Sequence, residues 1–315
     1  MLRLLRTARY LKPIQVIYRI RRLFVRPRRW KGATPSFHTV DLGWVNTATM
    51  PTTLVDDETA SFLNESGPMR DWQNLSKNRL WLYNLHYFDD LNAEEAQARV
   101  DTHRSWIEDW LSANPPCKGI GRGPYPTSLR VVNWIKWLLA GNEPVLGMHQ
   151  SLFQQAHVLS QMLEYHLLGN HLLANAKALV FAGSVFDGEE AAGWLEKGQA
   201  ILEQELNEQV LADGGHFERS PMYHQIILMD LLDLIQLAQM GVVALHDRTH
   251  TRLKQSAAAM ARYLEDMLHP DGDISFFNDS AVGIAPNPKA TLDYAHKLGL
   301  DWSPGAGPLC HHADS

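Results

Sequence analysis

A tyrosine at the start of a predicted helix is the residue in this sequence best placed to transfer a proton. Ser220 followed by Pro221 is a strong helix-start signal, because serine caps free N–H groups and proline is preorganised for the first turn. The Tyr223 phenol then lies near the positive end of the helix dipole. With Arg219 beside it, we expect a lowered pKa for Tyr223 and a role as general base or acid.

Ionisable side chains crowd the loop that leads to this tyrosine. A Gly-Gly hinge at 214–215 precedes them and lets the chain approach a ligand closely. The candidates for substrate binding are His216, Glu218, Arg219 and His224. A polar turn that caps neighbouring helices is the alternative, and the density of charge favours a binding loop.

A second candidate group lies at the start of another predicted helix, in the sequence LLGNHLLANAKAL. We expect Gly169 to end one apolar helix and Asn170–His171 to open the next. Asn170 is either an N-cap or a free amide that hydrogen-bonds an anionic group such as a carboxylate. His171 either supports that amide or has a structural role.

Two further pairs could contact a ligand. Arg130 and Asn133 are about one helical turn apart and share a face, and the planar guanidinium of Arg130 could clamp a carboxylate or sulfate. A salt bridge on the helix surface is the alternative for Arg130. His86 and Tyr87, within WLYNLHYFD, either line a sugar subsite or anchor an aromatic core.

Motifs for other chemistries are missing from the sequence. There is no HExxH, paired-cysteine spacing, phosphate-binding loop or serine elbow, so we expect neither a metal nor a cofactor. The ten tryptophans are either core filler or a cleft floor on which sugar rings stack. Cys117 and Cys310 make no disulfide framework.

The charge is distributed unevenly along the chain. The formal net charge is −6, yet residues 1–31 contain eleven Lys and Arg and no acidic residue. This basic arm is amphipathic, with apolar residues at helical spacing: Val16, Ile17, Ile20, Leu23 and Phe24. Anionic lipid, another polyanion or an acidic patch of the same chain could pair with it. A docked helix with solvated arginines is the simpler interpretation.

The compartment follows from what the sequence lacks. No apolar run is long enough to span a bilayer, and no secretory signal is recognisable at the N-terminus. We therefore expect a cytoplasmic chain, either free or peripheral to the inner membrane through its basic arm. No nucleic-acid partner is expected.

Hydrophobic periodicity predicts an all-α fold of consecutive antiparallel helix pairs, as an (α/α) toroid or an irregular bundle. The expected organisation is a basic helix and wrapping segment over 1–55, a helical domain over 56–300 and a loose tail over 301–315. Helices are predicted at about 56–64, 93–112, 127–140, 145–168, 171–186, 189–208, 220–240, 248–268 and 288–298. Short extended pieces are predicted at 216–218 and 274–277.

Five motifs together resemble the N-terminal domain of the heparinase II/III-like polysaccharide lyases, most closely members associated with bacterial surface-polysaccharide gene clusters. They occur in order between Trp81 and Pro286: WLYNLHYFD, YPTSLRVVNWIKW, LLGNHLLANAKAL, DGGHFERSPMYH and DISFFNDSAVGIAP. The resemblance implies an incomplete (α/α) toroid and cleavage of a uronic-acid polysaccharide by β-elimination. It implies that Asn170 and His171 neutralise the uronate carboxylate. Tyr223 would take the C5 proton, donate one to the leaving oxygen, or both.

One departure from the family pattern bears on activity. The family supplies a further catalytic histidine, and structural metal ligands where present, from a C-terminal β-sandwich, and no series of alternating strands is recognisable here. The missing half either lies outside this chain, comes from another polypeptide, or is not needed because the chain has another role. The alternative functions are a glycoside hydrolase using Asp213 and Glu218, and a non-catalytic glycan-binding or assembly protein in surface polysaccharide biosynthesis.

Overall fold

A computed structural model describes residues 11–38, 43–116, 118–281 and 283–303. Nearly all the regular structure in the described chain is helical, so the prediction of an all-α fold is confirmed. Both cysteines, His311–His312 and most of the predicted tail lie outside the described residues. The α-helices are α1 Pro13–Phe24, α2 Arg79–Tyr87, α3 Val100–Ala113, α4 Pro124–Leu139, α5 Met148–Gln161, α6 Gly169–Val185, α7 Glu189–Gln209, α8 Pro221–Gln239, α9 Asp247–Asp266 and α10 Pro288–Lys297.

Three of these helices form an inner layer. α4 packs on α6 and α6 packs on α8, while each also packs on the helix that follows it in the chain. The connections are short, so α4–α5, α6–α7 and α8–α9 are antiparallel pairs and the inner helices run parallel to one another. This alternation of inner and outer helices is an incomplete (α/α) toroid.

Burial explains which helices are inside. α6 is buried continuously from Leu172 to Ala182, as expected for a helix that is apolar all round. α7 and α9 bury one face only and form the outer layer. Glycines bring α6 and α7 into close contact, because a Cβ on Gly198 would lie 2.9 Å from the Ala176 carbonyl oxygen. Larger side chains there would push the pair apart.

The buried carboxylate of Asp90 is one of the groups that attach the wrapping segment to the helical body. It accepts hydrogen bonds from the Thr53 and Leu54 backbone N–H groups, at 2.6 and 3.1 Å. It also accepts from Arg99 Nε at 2.9 Å and lies 2.8 Å from His103 Nε2. Burial opposes ionisation, yet the donors outweigh it and lower the pKa of Asp90.

The prediction of a helix at 56–64 is wrong, because this segment forms the first strand and the turn of a β-hairpin. Strand β1 (Thr59–Phe62) pairs antiparallel with β2 (Glu65–Pro68). Leu63 and Asn64 join them, both with positive φ, as a two-residue hairpin turn requires. Of the extended pieces predicted at 216–218 and 274–277, only the first residues form bridges, His216 with Val210 and Ile274 with Leu268, and residues 217–218 lie in a turn.

The tryptophans largely build the core. Five are almost completely buried: Trp81, Trp106, Trp110, Trp134 and Trp137. Most of them pack edge-to-face or tilted against one another, Phe62 and Phe88. These five tryptophans are therefore core residues and do not form the floor of a binding cleft.

Candidate active site

The three inner helices begin at the same end of the toroid. Tyr125, in the first turn of α4, packs its ring 4.5 Å from the ring of His171, in the first turn of α6. Tyr223, in the first turn of α8, lies close enough to Tyr125 to raise the pKa of that buried phenol further. Three positive helix ends therefore converge on one region, which favours an anionic ligand.

Ser220 caps α8 as predicted. Its Oγ accepts a hydrogen bond from the Tyr223 backbone N–H at 3.3 Å and donates to the Asp279 carbonyl oxygen at 2.6 Å. Asn278 Nδ2 donates to the Arg219 carbonyl oxygen at 2.6 Å. Residues distant in sequence therefore brace both sides of the turn that carries the tyrosine.

We expect Ser220→Ala to lower the free energy of unfolding by about 1 kcal/mol, the usual cost of removing an N-cap. Urea denaturation measures this loss, with Ser160→Ala as the control, since Ser160 caps no helix start and donates within its own helix. Equal stability of the two variants would contradict the capping role.

The prediction of a lowered pKa for Tyr223 is wrong. Burial, Asp279 and Glu218 raise the pKa of this phenol above its ordinary value. The Arg219 side chain is exposed. Two carboxylates and partial desolvation therefore favour the protonated phenol.

Asn170 occupies a different helix position from the one predicted. α5 ends at Gln161, so Gly169 does not end a helix, and α6 begins at Gly169 with Leu168 as its N-cap residue. Asn170 is therefore in the first turn but caps nothing. Among the described residues, no protein group hydrogen-bonds the partly exposed Asn170 amide. The Asn170 amide is therefore able to hydrogen-bond a ligand.

His171 is oriented from behind by Glu164, a residue that the sequence reasoning missed. Glu164 Oε1 lies 3.4 Å from His171 Nδ1, at ion-pair distance but outside hydrogen-bond geometry. Asn175 fixes Glu164, accepting from its backbone N–H at 2.8 Å and donating to Oε2 at 3.1 Å. Asn175 is four residues after His171, a spacing that places both on one helix face and was a usable signal.

Glu218 links the histidine and the tyrosine. Burial and Asp279 raise the pKa of the Glu218 carboxyl, while His171 opposes that shift. Asp213, its predicted partner in a hydrolase, lies in a turn where it accepts from the Gly215 backbone N–H at 2.9 Å. The carboxylate that acts on Glu218 is that of Asp279, which sequence reasoning did not identify.

Two of the predicted loop ligands are buried structural histidines. His216 Nε2 is 3.2 Å from Gln209 Oε1, and burial lowers the pKa of His216 to about 3. His224 Nε2 is 2.9 Å from the Met260 carbonyl oxygen. They fasten the loop to the helices, and the side chains left exposed in that loop include Glu218 and Arg219.

Arg130 and His86 also lie inside the protein. Arg130 is fully buried, donating to Gln155 Oε1 at 2.7 Å and to the His86 carbonyl oxygen at 3.0 Å, with its guanidinium 4.2 Å from the Trp110 ring centre. His86 accepts from Trp110 Nε1 at 3.0 Å, and its Nε2 faces the Trp72 carbonyl oxygen at 3.1 Å. Neither side chain is available to clamp a substrate carboxylate.

Tyr87 and Asn133 border a cavity of about 330 Å³ beside the three helix starts. Asn133 Nδ2 donates to the Tyr87 carbonyl oxygen at 3.0 Å and to Asp89 Oδ1 at 2.7 Å. Burial raises the pKa of Asp89 to about 6. Tyr125 borders the same cavity, so the cavity adjoins the His171 side of the site.

The cavity floor is an ionic cluster that sequence reasoning also missed. Lys177 Nζ lies 2.7 Å from Asp230 Oδ1 and 2.6 Å from Asp233 Oδ2, and Lys136 Nζ lies 3.1 Å from Asp233 Oδ2. Tyr294 donates its hydroxyl to Asp233 at 3.3 Å. The signal was available, because each charge interrupts an apolar helix, as in LMDLLDL.

Comparisons with known sequences agree on one family. Residues 143–294 match the family model described as Heparinase II/III N-terminus. A heparin-sulfate lyase of Pedobacter heparinus is 33% identical over 133 residues, which are 42% of this chain and 20% of the relative. A heparin-sulfate lyase of Bacteroides stercoris is 42% identical over 69 residues, 22% of this chain and 10% of the relative. The matched part is thus a small share of each relative.

Two solved structures are similar to this chain over most of its length. The alignment with the structure of a heparinase III gene product covers 85% of this chain and 46% of that protein, with 19% identity and a TM-score of 0.49. The alignment with the structure of the heparan sulfate lyase HepC from Pedobacter heparinus covers 85% of this chain and 45% of that protein, with 20% identity and a TM-score of 0.45. This chain spans less than half the length of each.

Proposed function

This chain carries a heparinase II/III-like N-terminal domain, and we propose that it is the helical part of a lyase that cleaves a uronic-acid polysaccharide by β-elimination. One observation carries the proposal. The Asn170 amide, which no described residue hydrogen-bonds, adjoins His171 at an end of the toroid where three positive helix ends and Tyr223 meet. The curated relatives named heparin-sulfate lyase suggest a sulfated uronate polymer as the first substrate to test.

Asn170 and the start of α6 suit the uronate carboxylate. The amide N–H₂ and the free N–H groups of the first turn can donate to its oxygens. Neutralising the carboxylate stabilises negative charge that develops at C5 when the proton leaves, and preorganised donors of this kind contribute large rate factors. We assign this role to Asn170, with His171 beside it.

We assign Tyr223 to the leaving group, because burial, Asp279 and Glu218 favour its protonated form. The C5–H bond breaks, its electrons form the C4=C5 double bond, and the C4–O4 bond breaks as the Tyr223 phenol protonates O4. The C5 proton goes to His171 Nε2, because His171 Nδ1 faces Glu164 Oε1 at 3.4 Å. The elimination is redox-neutral, and a proton shift from His171 to Tyr223 restores the site.

The cavity beside this site supplies a place for a neighbouring sugar. Tyr87 and Tyr125 provide ring surface, and Asn133 and Asp89 provide polar atoms. Exposed Arg219 and Glu218 border the opposite, α8 side. We propose that these groups hold the chain on either side of the cleaved bond, and that Arg130, His86, His216 and His224 support them from below.

The three-part organisation also remains a proposal: arm and wrapping segment over 1–55, toroid over 56–300 and tail over 301–315. We further propose that a β-sandwich domain, from this polypeptide or another, closes the open side of the toroid. The family resemblance is the support for this partner, and a partner domain would add groups to the site described above.

Ultraviolet absorbance of an unsaturated uronate tests the proposed reaction. Heparan sulfate and other uronate polysaccharides are supplied to the protein, and products are identified by mass spectrometry. We expect each product with a new non-reducing end to be about 18 Da lighter than the matching hydrolysis product. This difference is the mass of the water molecule that hydrolysis adds and elimination does not. Products without the double bond would favour a hydrolase using Glu218, and binding without turnover would favour a glycan-binding protein.

We expect Glu164→Gln to lower kcat by about 10- to 100-fold, because the amide no longer stabilises a protonated His171. KM should change little while kcat falls, a split that a residue with a purely structural role would not cause. Glu190→Gln is the matched control, since Glu190 lies 3.5 Å from His157 on the outer surface. An unchanged kcat in Glu164→Gln would remove its positioning role.

A further inference from the structure

We propose that α1 lies in the plane of an anionic membrane surface and attaches the protein to it. The helix exposes a stripe of large apolar side chains to solvent. Leu23 is 72% exposed and Phe24 is 79% exposed, and Val16, Ile17 and Ile20 continue the stripe. No residue of α1 is buried, so the body of the protein leaves this stripe uncovered.

The opposite face of α1 is the one that contacts the protein. Tyr18 packs its ring 4.5 Å from Tyr165, Gln15 Nε2 donates to the Leu167 carbonyl oxygen at 3.2 Å, and Arg22 contacts His166. At about 100° per residue, Tyr18 and Arg22 lie roughly opposite the middle of the apolar stripe. Docking therefore holds the apolar face outward.

Basic side chains border the stripe on both sides. By the same geometry, Arg19 and Arg21 lie roughly 100° to either side of its middle, and both are exposed. Within residues 11–38, the ion pairs with acidic side chains are Lys12 with Glu208 and His38 with Asp187. Glu208 of the same chain thus pairs with Lys12, whereas Arg19 and Arg21 have no acidic partner among the described residues.

The combination identifies a lipid surface rather than a dissolved polyanion. A polyanion offers charge for the arginines but nothing for five exposed apolar side chains. An anionic bilayer offers both, with acyl chains below the stripe and headgroups level with Arg19 and Arg21. In the part of the chain that the structure describes, each helix is too short or too polar to cross a bilayer, so α1 would lie on the surface.

Vesicle co-sedimentation of the full chain tests this attachment. We expect binding to phosphatidylcholine vesicles that contain phosphatidylserine, much weaker binding without it, and a loss of binding as salt increases. Leu23→Glu should weaken binding at least tenfold, and Arg19→Gln and Arg21→Gln about fivefold each. Leu146→Glu is the matched control, since Leu146 is 97% exposed in a loop away from α1, and it should bind like the wild type.

Three outcomes would overturn the proposal: no binding by the wild type, equal binding with and without phosphatidylserine, or full binding by Leu23→Glu. A change from dimer to monomer in Leu23→Glu without vesicle binding would assign the stripe to self-association instead. Circular dichroism checks that each variant is folded. Lyase assays on dissolved polysaccharide are independent of this test, so either idea can fail alone.

Discussion

Tyr223→Phe should lower turnover of a uronate polysaccharide by about 10²- to 10⁴-fold, the usual contribution of a positioned acid or base. The change removes only the hydroxyl. The ring of Tyr223 is partly exposed, and the α8 cap uses its backbone N–H, which phenylalanine retains. Substrate binding should therefore persist while kcat falls, as read from initial rates of unsaturated-uronate formation.

Tyr18→Phe is the matched control, because Tyr18 lies on α1 against Tyr165, away from the three helix starts. It should retain wild-type kcat. Full activity in Tyr223→Phe would remove Tyr223 from the mechanism. A fall in activity with a comparable loss of thermal stability would instead mean that the hydroxyl supports the fold.

The pH dependence separates the acid role of Tyr223 from a base role. An acid must be protonated, and the pKa of Tyr223 is raised above its ordinary value of 10.0. As an acid, Tyr223 would leave the rate unaffected until the pH exceeds about 10 and lower it beyond that point. As a base, it would make the rate climb throughout the alkaline range. A climbing rate would return the base role to Tyr223.

Lys177→Met should destabilise the protein by about 3–5 kcal/mol, the cost of leaving buried charges without their partner. Asp230 and Asp233 both bond Lys177, and all three are almost completely buried. Lys136 would remain near Asp233 but Asp230 would lose its cation. Because whole domains are stable by only about 5–15 kcal/mol, urea denaturation should show a large shift in midpoint.

Lys197→Met provides the control for lost packing and charge. Lys197 lies on the outer helix α7 and donates to the Ser160 carbonyl oxygen at 3.1 Å, so its removal should cost under about 1 kcal/mol. The double variant Lys177→Met, Asp230→Leu removes both charges and should recover part of the loss. Equal loss in Lys177→Met and Lys197→Met would show that the cluster is not a stabilising network.

The sequence was sufficient for the features that depend on local signals. The cap formed by Ser220 and Pro221, and the apolar character of α6 and α8, follow from neighbouring residue types. The same signals failed at 56–64, where two residues with positive φ turn the chain into a hairpin. The residue types at 56–64 did not indicate this turn, because the pairing of the two strands determines it.

The site depended on contacts that local signals do not contain. Asp279 and Glu218 reach Tyr223 through tertiary packing and reverse the pKa shift that the helix dipole alone would give. The sequence did not show whether Arg130 faces solvent or the core, so a role in ligand binding was open. In the structure its guanidinium packs against the Trp110 ring inside the protein. Asn170 remained a candidate for a different reason, since the structure leaves its amide without a protein partner among the described residues.

The segment between α5 and α6 touches two remote features. On one side Tyr165 and Leu167 contact α1, and on the other Glu164 engages His171. One short segment of the chain thus carries both the contacts that dock α1 and the carboxylate that faces His171, so a substitution in it can change the two contact sets together.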